Sequence, residues 1–111
     1  MSELATVAAS DLGGARLLSV SGEVDLSNVG TVTAAISGAI PSAASLVIVD
    51  LSETAYLDST GLAMLFQIAR QLGYTRQEFC LVVPPDSPIR RVLELTNLTR
   101  VIRVEETIPG H

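Results

Sequence analysis

The strongest indication of the architecture of this chain is the stretch Ser45-Leu46-Val47-Ile48-Val49-Asp50-Leu51. The stretch is continuously apolar and rich in β-branched residues up to Asp50, a pattern typical of a strand that helices cover on both faces. We therefore expect residues 45–51 to form the central strand of a sheet. A helical pattern follows after Asp58-Ser59-Thr60-Gly61 and ends at Gly73, with apolar residues at spacings of three and four. Its predicted inner face consists of Leu62, Leu65, Phe66, Ala69 and Leu72.

The N-terminal part of the sequence predicts a β-hairpin and then a helix. Residues 4–9 and 15–21 are apolar stretches separated by the turn-forming cluster Ser10-Asp11-Leu12-Gly13-Gly14, which predicts two antiparallel strands. From Asp25-Leu26-Ser27-Asn28 up to Pro41, apolar residues again recur at helical spacing. The inner face of this helix is predicted to comprise Leu26, Val29, Val32, Ile36, Ala39 and Ile40.

The C-terminal part predicts two more strands with a helix between them. Residues 53–57 are expected to form a loop and residues 78–83 a strand. Asp86-Ser87-Pro88 combines a capping residue with a proline suited to the first helical turn, so we expect a helix that ends near Leu95. Its inward-facing residues are predicted to be Ile89, Val92 and Leu93. A last short strand is expected at 100–105.

These elements predict a single α/β domain over residues 1–111. Its core is expected to span about 4–105, and residues 106–111 to form a short frayed tail. The order β-β-α-β-α-β-α-β predicts a small mixed, mostly parallel sheet of four to five strands with an N-terminal β-hairpin. About three α-helices are expected to pack against it.

Composition narrows the possible classes of function. The 111 residues carry a formal net charge of -5, all seven basic residues are arginine, and only four residues are aromatic, so no nucleic-acid partner is expected. No apolar run approaches the roughly 20 residues of a membrane-spanning helix. Met1-Ser2-Glu3-Leu4 lacks the features of a secretory signal. The lone Cys80 is expected to be a buried core residue rather than a reactive thiol, which indicates a cytoplasmic protein.

Catalytic and metal-binding chemistry finds little support in the sequence. The only histidine is His111, in the predicted tail, so a Ser-His-Asp triad lacks its base. One cysteine and one histidine cannot form a zinc site, and a chain without lysine cannot contain a Gly-Lys-Ser/Thr phosphate loop. Asp50 and Asp58 allow the alternative of a phosphoacceptor receiver domain, but that family depends on a lysine, and Asp50 is expected instead to hold loop N–H groups. We expect no enzyme, no metal site and no cofactor.

The segment Asp58-Ser59-Thr60-Gly61 leaves two interpretations open. Its Asp or Ser could simply cap the following helix, with Gly61 allowing close packing against the sheet. Alternatively, Ser59 is a phosphorylation acceptor. A phosphate there would be favoured by the helix dipole and would add about -1.5 to -2 charges beside Asp58. Its main effect would then fall on a docked partner.

Three motifs recur in the order and spacing of a known family: Gly22-Glu23-Val24-Asp25, Val47-Ile48-Val49-Asp50-Leu51-Ser52 and Tyr56-Leu57-Asp58-Ser59-Thr60-Gly61-Leu62. With them the chain resembles the STAS-domain anti-sigma factor antagonists over residues 4 to about 105. The resemblance implies a binding module whose unphosphorylated form docks on an anti-sigma factor with serine kinase activity and so releases a sigma factor. It also implies that phosphorylation of Ser59, or as second choice Thr60, switches the module off, and that a serine phosphatase resets it.

The resemblance further implies a docking surface and its partners. That surface would comprise Asp25, Ser27, Asn28, Asp58, Ser59, Thr60 and Gly61. ATP and magnesium would belong to the partner kinase, and the chain itself is expected to be a monomer or weak dimer. Two alternatives stay open. Asp25 could merely cap the first helix, and the chain could be an unphosphorylated STAS scaffold or adaptor subunit, of the stressosome type or associated with lipid transport.

Overall fold

The computed structural model describes residues 4–110, which contain six strands and three α-helices. The strands are β1 (Ala5–Leu12), β2 (Ala15–Val24), β3 (Leu46–Asp50), β4 (Thr54–Leu57), β5 (Glu78–Val82) and β6 (Arg103–Glu105). The helices are α1 (Val29–Gly38), α2 (Ser59–Tyr74) and α3 (Arg90–Leu95), and a 3-10 turn, Leu98–Arg100, precedes β6. The predictions made for Met1-Ser2-Glu3 and for His111 lie outside the described residues.

The strands form one mixed sheet in the order β1-β2-β3-β5-β6, with β4 paired to β2 beside this path. β1 and β2 are an antiparallel hairpin that turns at Gly13-Gly14, and the other described pairs are parallel. β3 lies between β2 and β5, as its unbroken apolar run predicts. The predicted fold class is confirmed, because a mostly parallel mixed sheet with an N-terminal hairpin packs against three helices.

The described residues contain six strands rather than four to five, because residues 54–57 form β4 and not a loop. β2 is ten residues long, and only its segment 15–19 pairs with β3. The remainder of β2 does not pair with β3. β4 pairs with it in parallel instead, with Val24 opposite Leu57. A four-residue strand without alternating hydrophobicity carries too weak a sequence signal to be recognised before its pairing partner is known.

The main core lies between one face of the sheet and the helices. Buried residues of this core include Leu18, Val20, Val47, Val49, Leu81, Val32, Ile36, Leu65, Ile68 and Leu93. Ile48 and Cys80 alternate with the strand residues of this set and are buried on the opposite face. The expectation of helices on both faces of β3 is wrong. Each parallel crossover steps in the same direction across the sheet, so right-handed connections place all three helices on one side.

Residues 106–110 of the predicted tail are irregular, and their last part lies against the domain rather than fraying from it. Ile108 and Pro109 are half-buried. Pro109 and Gly110 line a shallow cavity together with the hairpin turn and Ile48 of β3. This segment therefore lies at the face of the sheet that the helices leave free.

The observed helices differ from the predicted helices mainly in the residue at which each one begins. α2 confirms the clearest helical pattern, and Met64 and Ile68 are buried in addition to the predicted Leu62, Leu65 and Leu72. α3 and the last strand both begin later than predicted, and Asp86 does not cap α3. The turn before α3 is held instead by the Ser87 hydroxyl, which accepts a hydrogen bond from the Ile89 N–H at 3.3 Å. Among residues 4–110, no helix is long and apolar enough to cross a membrane.

Candidate functional site

The site lies where the carboxyl ends of β2 and β4 meet. These strands run parallel with Val24 opposite Leu57, so the loops that leave them begin side by side. The Asp58 N–H donates to the Val24 carbonyl at 3.2 Å, which continues the pairing by one residue. The tertiary structure thereby joins residues 25–28, which precede α1, to Asp58, which precedes α2.

Asp58 is the N-cap of α2, and its carboxylate holds two segments of the chain. Its Oδ1 accepts hydrogen bonds from the Thr60 N–H at 2.9 Å, the Gly61 N–H at 3.1 Å and the Thr60 hydroxyl. Its Oδ2 accepts from the Leu26 N–H at 3.0 Å, across 32 positions of sequence. The capping interpretation is confirmed for Asp58. The same side chain also fixes the loop before α1 against the start of α2.

The hydrogen bonds around Asp58 favour its ionised form. The hydroxyl of Thr60 has the largest effect and lowers the pKa of the Asp58 carboxyl, and the N–H groups of Gly61, Leu26 and Thr60 lower it further. Desolvation opposes this shift but does not overcome it. Asp58 is therefore a carboxylate at neutral pH, placed against the positive end of the α2 dipole.

The two hydroxyl residues after Asp58 differ in their surroundings. Thr60 is half-buried, and its hydroxyl already donates to Asp58. Ser59 is exposed at the first position of α2, and its hydroxyl has no hydrogen-bond partner among residues 4–110. A phosphorylation acceptor must reach an incoming phosphoryl group with a free oxygen, so this geometry favours Ser59 over Thr60.

Residues 25–28 form a loop stiffened by its own polar side chains. Asp25 Oδ1 accepts from the Ser27 N–H at 2.9 Å and from the Ser27 hydroxyl. Asn28 Oδ1 accepts from the Asp25 N–H at 2.9 Å, and Asn28 Nδ2 donates to the Glu23 carbonyl at 2.8 Å. The alternative that the Asp25 side chain caps the first helix is wrong, because its carboxylate bonds to Ser27, which precedes that helix.

Gly61 is buried directly behind Asp58. A Cβ at this position would lie 2.9 Å from Leu57 Cδ2 and 3.5 Å from Val24 Cγ1. The absence of a side chain therefore lets the first turn of α2 approach the ends of β2 and β4, as the packing interpretation predicts. Because Gly61 lies beneath the surface, the structure supports packing for it rather than contact with a partner.

Two exposed apolar side chains near this site were not predicted from the sequence. Leu26, which helical spacing placed on the inner face of the first helix, precedes that helix and is 76% exposed. Tyr56 is 48% exposed and lies on β4, two residues before Asp58. The only sequence signal for either is that both lie inside or beside the family-like motifs, which does not distinguish an exposed residue from a buried one.

The remaining polar groups near the site are acidic or structural. Glu23 and Glu53 are exposed. Asp50 accepts from the Ser52 N–H at 3.0 Å, so its predicted role in holding the following loop is confirmed. The first basic residue along α2 is Arg70, about 16 Å from Ser59 at the rise of a helix. Within residues 4–110, no group of His, Cys, Asp and Glu has an arrangement that could hold a metal ion.

The STAS domain family model matches residues 6–110 of the chain. The chain belongs to the STAS domain family. The match covers all of the sheet except Ala5, the first residue of β1, and includes the loops around Asp25 and Asp58.

The proteins similar to this chain include anti-sigma factor antagonists. The chain is 29% identical over 103 residues to the anti-sigma-F factor antagonist RsfB of Mycobacterium tuberculosis, covering 93% of this chain and 83% of that protein. A crystal structure of an anti-sigma factor antagonist from Mycobacterium paratuberculosis superposes with a TM-score of 0.83 at 28% identity, covering 94% of this chain and 87% of the other. The anti-sigma factor antagonist SpoIIAA in its unphosphorylated form superposes with a TM-score of 0.70 at 21% identity, covering 89% and 87%, and shares the fold.

Proposed function

We propose that this chain is an anti-sigma factor antagonist. Its unphosphorylated form binds an anti-sigma factor with serine kinase activity and displaces the sigma factor that this partner held. Phosphorylation of Ser59 switches the chain off, and a serine phosphatase resets it. The mycobacterial relatives named as antagonists support the class of function. Action in the cytoplasm and a monomer or weak dimer belong to the same proposal.

The observation that carries the proposal is the position of the Ser59 hydroxyl. It is exposed at the start of α2, while the neighbouring Thr60 hydroxyl is engaged by Asp58. The Asp58 cap fixes the backbone on both sides of Ser59, so the acceptor residue is held at the start of α2. Neither a base nor a metal is required of this chain, because the partner kinase would supply ATP, magnesium and the catalytic groups.

A phosphate at Ser59 would change the charge of the proposed docking surface. It would add about -1.5 to -2 charges at pH 7 beside the ionised Asp58. In a docked complex this dianion would lose its hydration, and an unpaired buried charge costs several kcal/mol. A loss of even about 3 kcal/mol weakens binding more than a hundredfold.

The proposal is tested by incubating the purified chain with candidate anti-sigma factor kinases and ATP-Mg, and by counting phosphates from the intact mass. We expect a single phosphate on the wild type, none on Ser59→Ala, and one on Thr60→Val, which keeps the shape of Thr60 without its hydroxyl. The same kinase should bind the unphosphorylated chain at least a hundredfold more tightly than the phosphorylated chain.

Two outcomes would contradict the proposal. A phosphate that persists in Ser59→Ala and disappears in Thr60→Val would move the acceptor to Thr60. Failure of every kinase to modify the chain, together with stable anti-sigma factor binding that tolerates Ser59→Asp, would favour the unphosphorylated scaffold or adaptor instead.

A further inference from the structure

We infer that Leu26 is the apolar anchor through which this chain docks on its anti-sigma factor, inserting into an apolar pocket of that partner. The inference rests on the proposed function and names a contact residue that the family-like motifs do not. It starts from one observation: Leu26 is 76% exposed at the tip of the loop between β2 and α1.

Leu26 is presented to solvent from a backbone that hydrogen bonds hold in place. Its N–H is held by Asp58 Oδ2 at 3.0 Å, and the residues on either side, Asp25 and Ser27, are joined by two hydrogen bonds. Asn28 closes the loop with a bond to the Glu23 carbonyl at 2.8 Å. Three polar side chains therefore stiffen a loop whose tip is apolar. Because the backbone of the loop is already ordered, docking through Leu26 requires only its side chain to lose conformational freedom.

The position of Leu26 also indicates which protein would cover its side chain. The kinase must bring its phosphoryl donor within bonding distance of the Ser59 hydroxyl. The Leu26 N–H is bonded to Asp58, the residue directly before Ser59. A protein surface that reaches Ser59 therefore also meets Leu26, so the anti-sigma factor of the proposed function is its occupant.

An apolar contact at Leu26 makes binding of the partner more sensitive to a phosphate on Ser59. Burial of Leu26 excludes water from the neighbouring Ser59, and a phosphate dianion is costly where it cannot be hydrated. The anchor and the acceptor thus share one desolvated region, with Asp58 fixing the distance between them.

The test compares Leu26→Ala with Leu95→Ala. Leu95 is a matched control because it is 70% exposed and lies at the end of α3, between β5 and β6 rather than at the ends of β2 and β4. Binding of each variant to the anti-sigma factor is measured by calorimetry, and phosphorylation of Ser59 by steady-state kinetics.

We expect Leu26→Ala to raise Kd roughly 10- to 100-fold and Leu95→Ala to leave it unchanged. The KM for the chain as kinase substrate should rise with Kd while kcat is preserved. Both variants should melt within a few degrees of the wild type, because neither side chain is buried.

The outcomes separate this inference from the proposed function. If the wild type binds and is phosphorylated but Leu26→Ala behaves like Leu95→Ala, Leu26 is not an anchor and the proposed function stands. If Leu26→Ala lowers kcat at unchanged KM, the residue positions Ser59 instead of docking the partner, and the inference is overturned. If the wild type neither binds nor is modified by any anti-sigma factor kinase, the proposed function fails and the inference fails with it.

Discussion

Replacement of Gly22 by alanine should destabilise the whole domain, because Gly22 has a backbone conformation and a packing environment that exclude a side chain. Its φ is +99°, and a Cβ there would lie 2.1 Å from the Leu4 carbonyl oxygen and 3.2 Å from Ala5 Cα. Both neighbours are backbone atoms, so no side-chain rotation can relieve the overlap. The segment that leads into β1 must therefore move away from β2.

The magnitude follows from two contributions. A non-glycine residue with positive φ costs about 1–3 kcal/mol. Displacing Leu4 also breaks the hydrogen bond of 2.9 Å from the Glu23 N–H to the Leu4 carbonyl, a loss of about 0.5–1.5 kcal/mol. Together they predict a decrease of about 2–4 kcal/mol in the free energy of unfolding. For a domain of this length, that corresponds to a fall of roughly 8–16 °C in melting temperature.

The assay is thermal and urea unfolding followed by circular dichroism, with Gly30→Ala as the matched control. Gly30 lies in α1 with no heavy atom near its would-be Cβ, and its φ is not positive. Alanine is favoured over glycine in a helix by about 0.5–1 kcal/mol, so the same chemical change should be neutral or stabilising there. A Gly22→Ala variant whose stability lies within about 0.5 kcal/mol of the wild type would refute the reasoning.

Two further predictions concern titratable groups. Folding lowers the pKa of Asp58, so its contribution to stability is fully present above the unfolded pKa of about 3.9 and is lost as pH falls through the folded pKa. Thermal melts should therefore show Asp58→Asn approaching wild-type stability as pH falls from about 5 to about 2, whereas a constant difference would contradict the assigned hydrogen bonds. Cys80 is buried, and burial raises the pKa of its thiol. A thiol reagent should label it much more slowly in the native state than in urea, and equal rates would show that the second face of the sheet is open.

The sequence indicates the segment of the candidate site but not the role of each residue within it. The sequence allows either Asp58 or Ser59 to cap the helix, and the structure assigns the cap to Asp58. The choice between Ser59 and Thr60 depends on which hydroxyl is engaged by Asp58, which no spacing reveals. Leu26 has the spacing of a buried helical residue, yet Asp58, a residue 32 positions away, holds its N–H outside the helix.

The features that the sequence predicts correctly are local ones. The central strand follows from an unbroken β-branched run, and α2 from apolar spacing bounded by a cap and a glycine, because both signals are contained in neighbouring residues. The tertiary structure alone decided the rest. β4 exists because β2 extends beyond β3, the helices share one face because each crossover steps the same way, and Leu26 is exposed because a distant carboxylate holds its backbone. These features depend on contacts between residues far apart in sequence, which form only when the whole sheet is assembled.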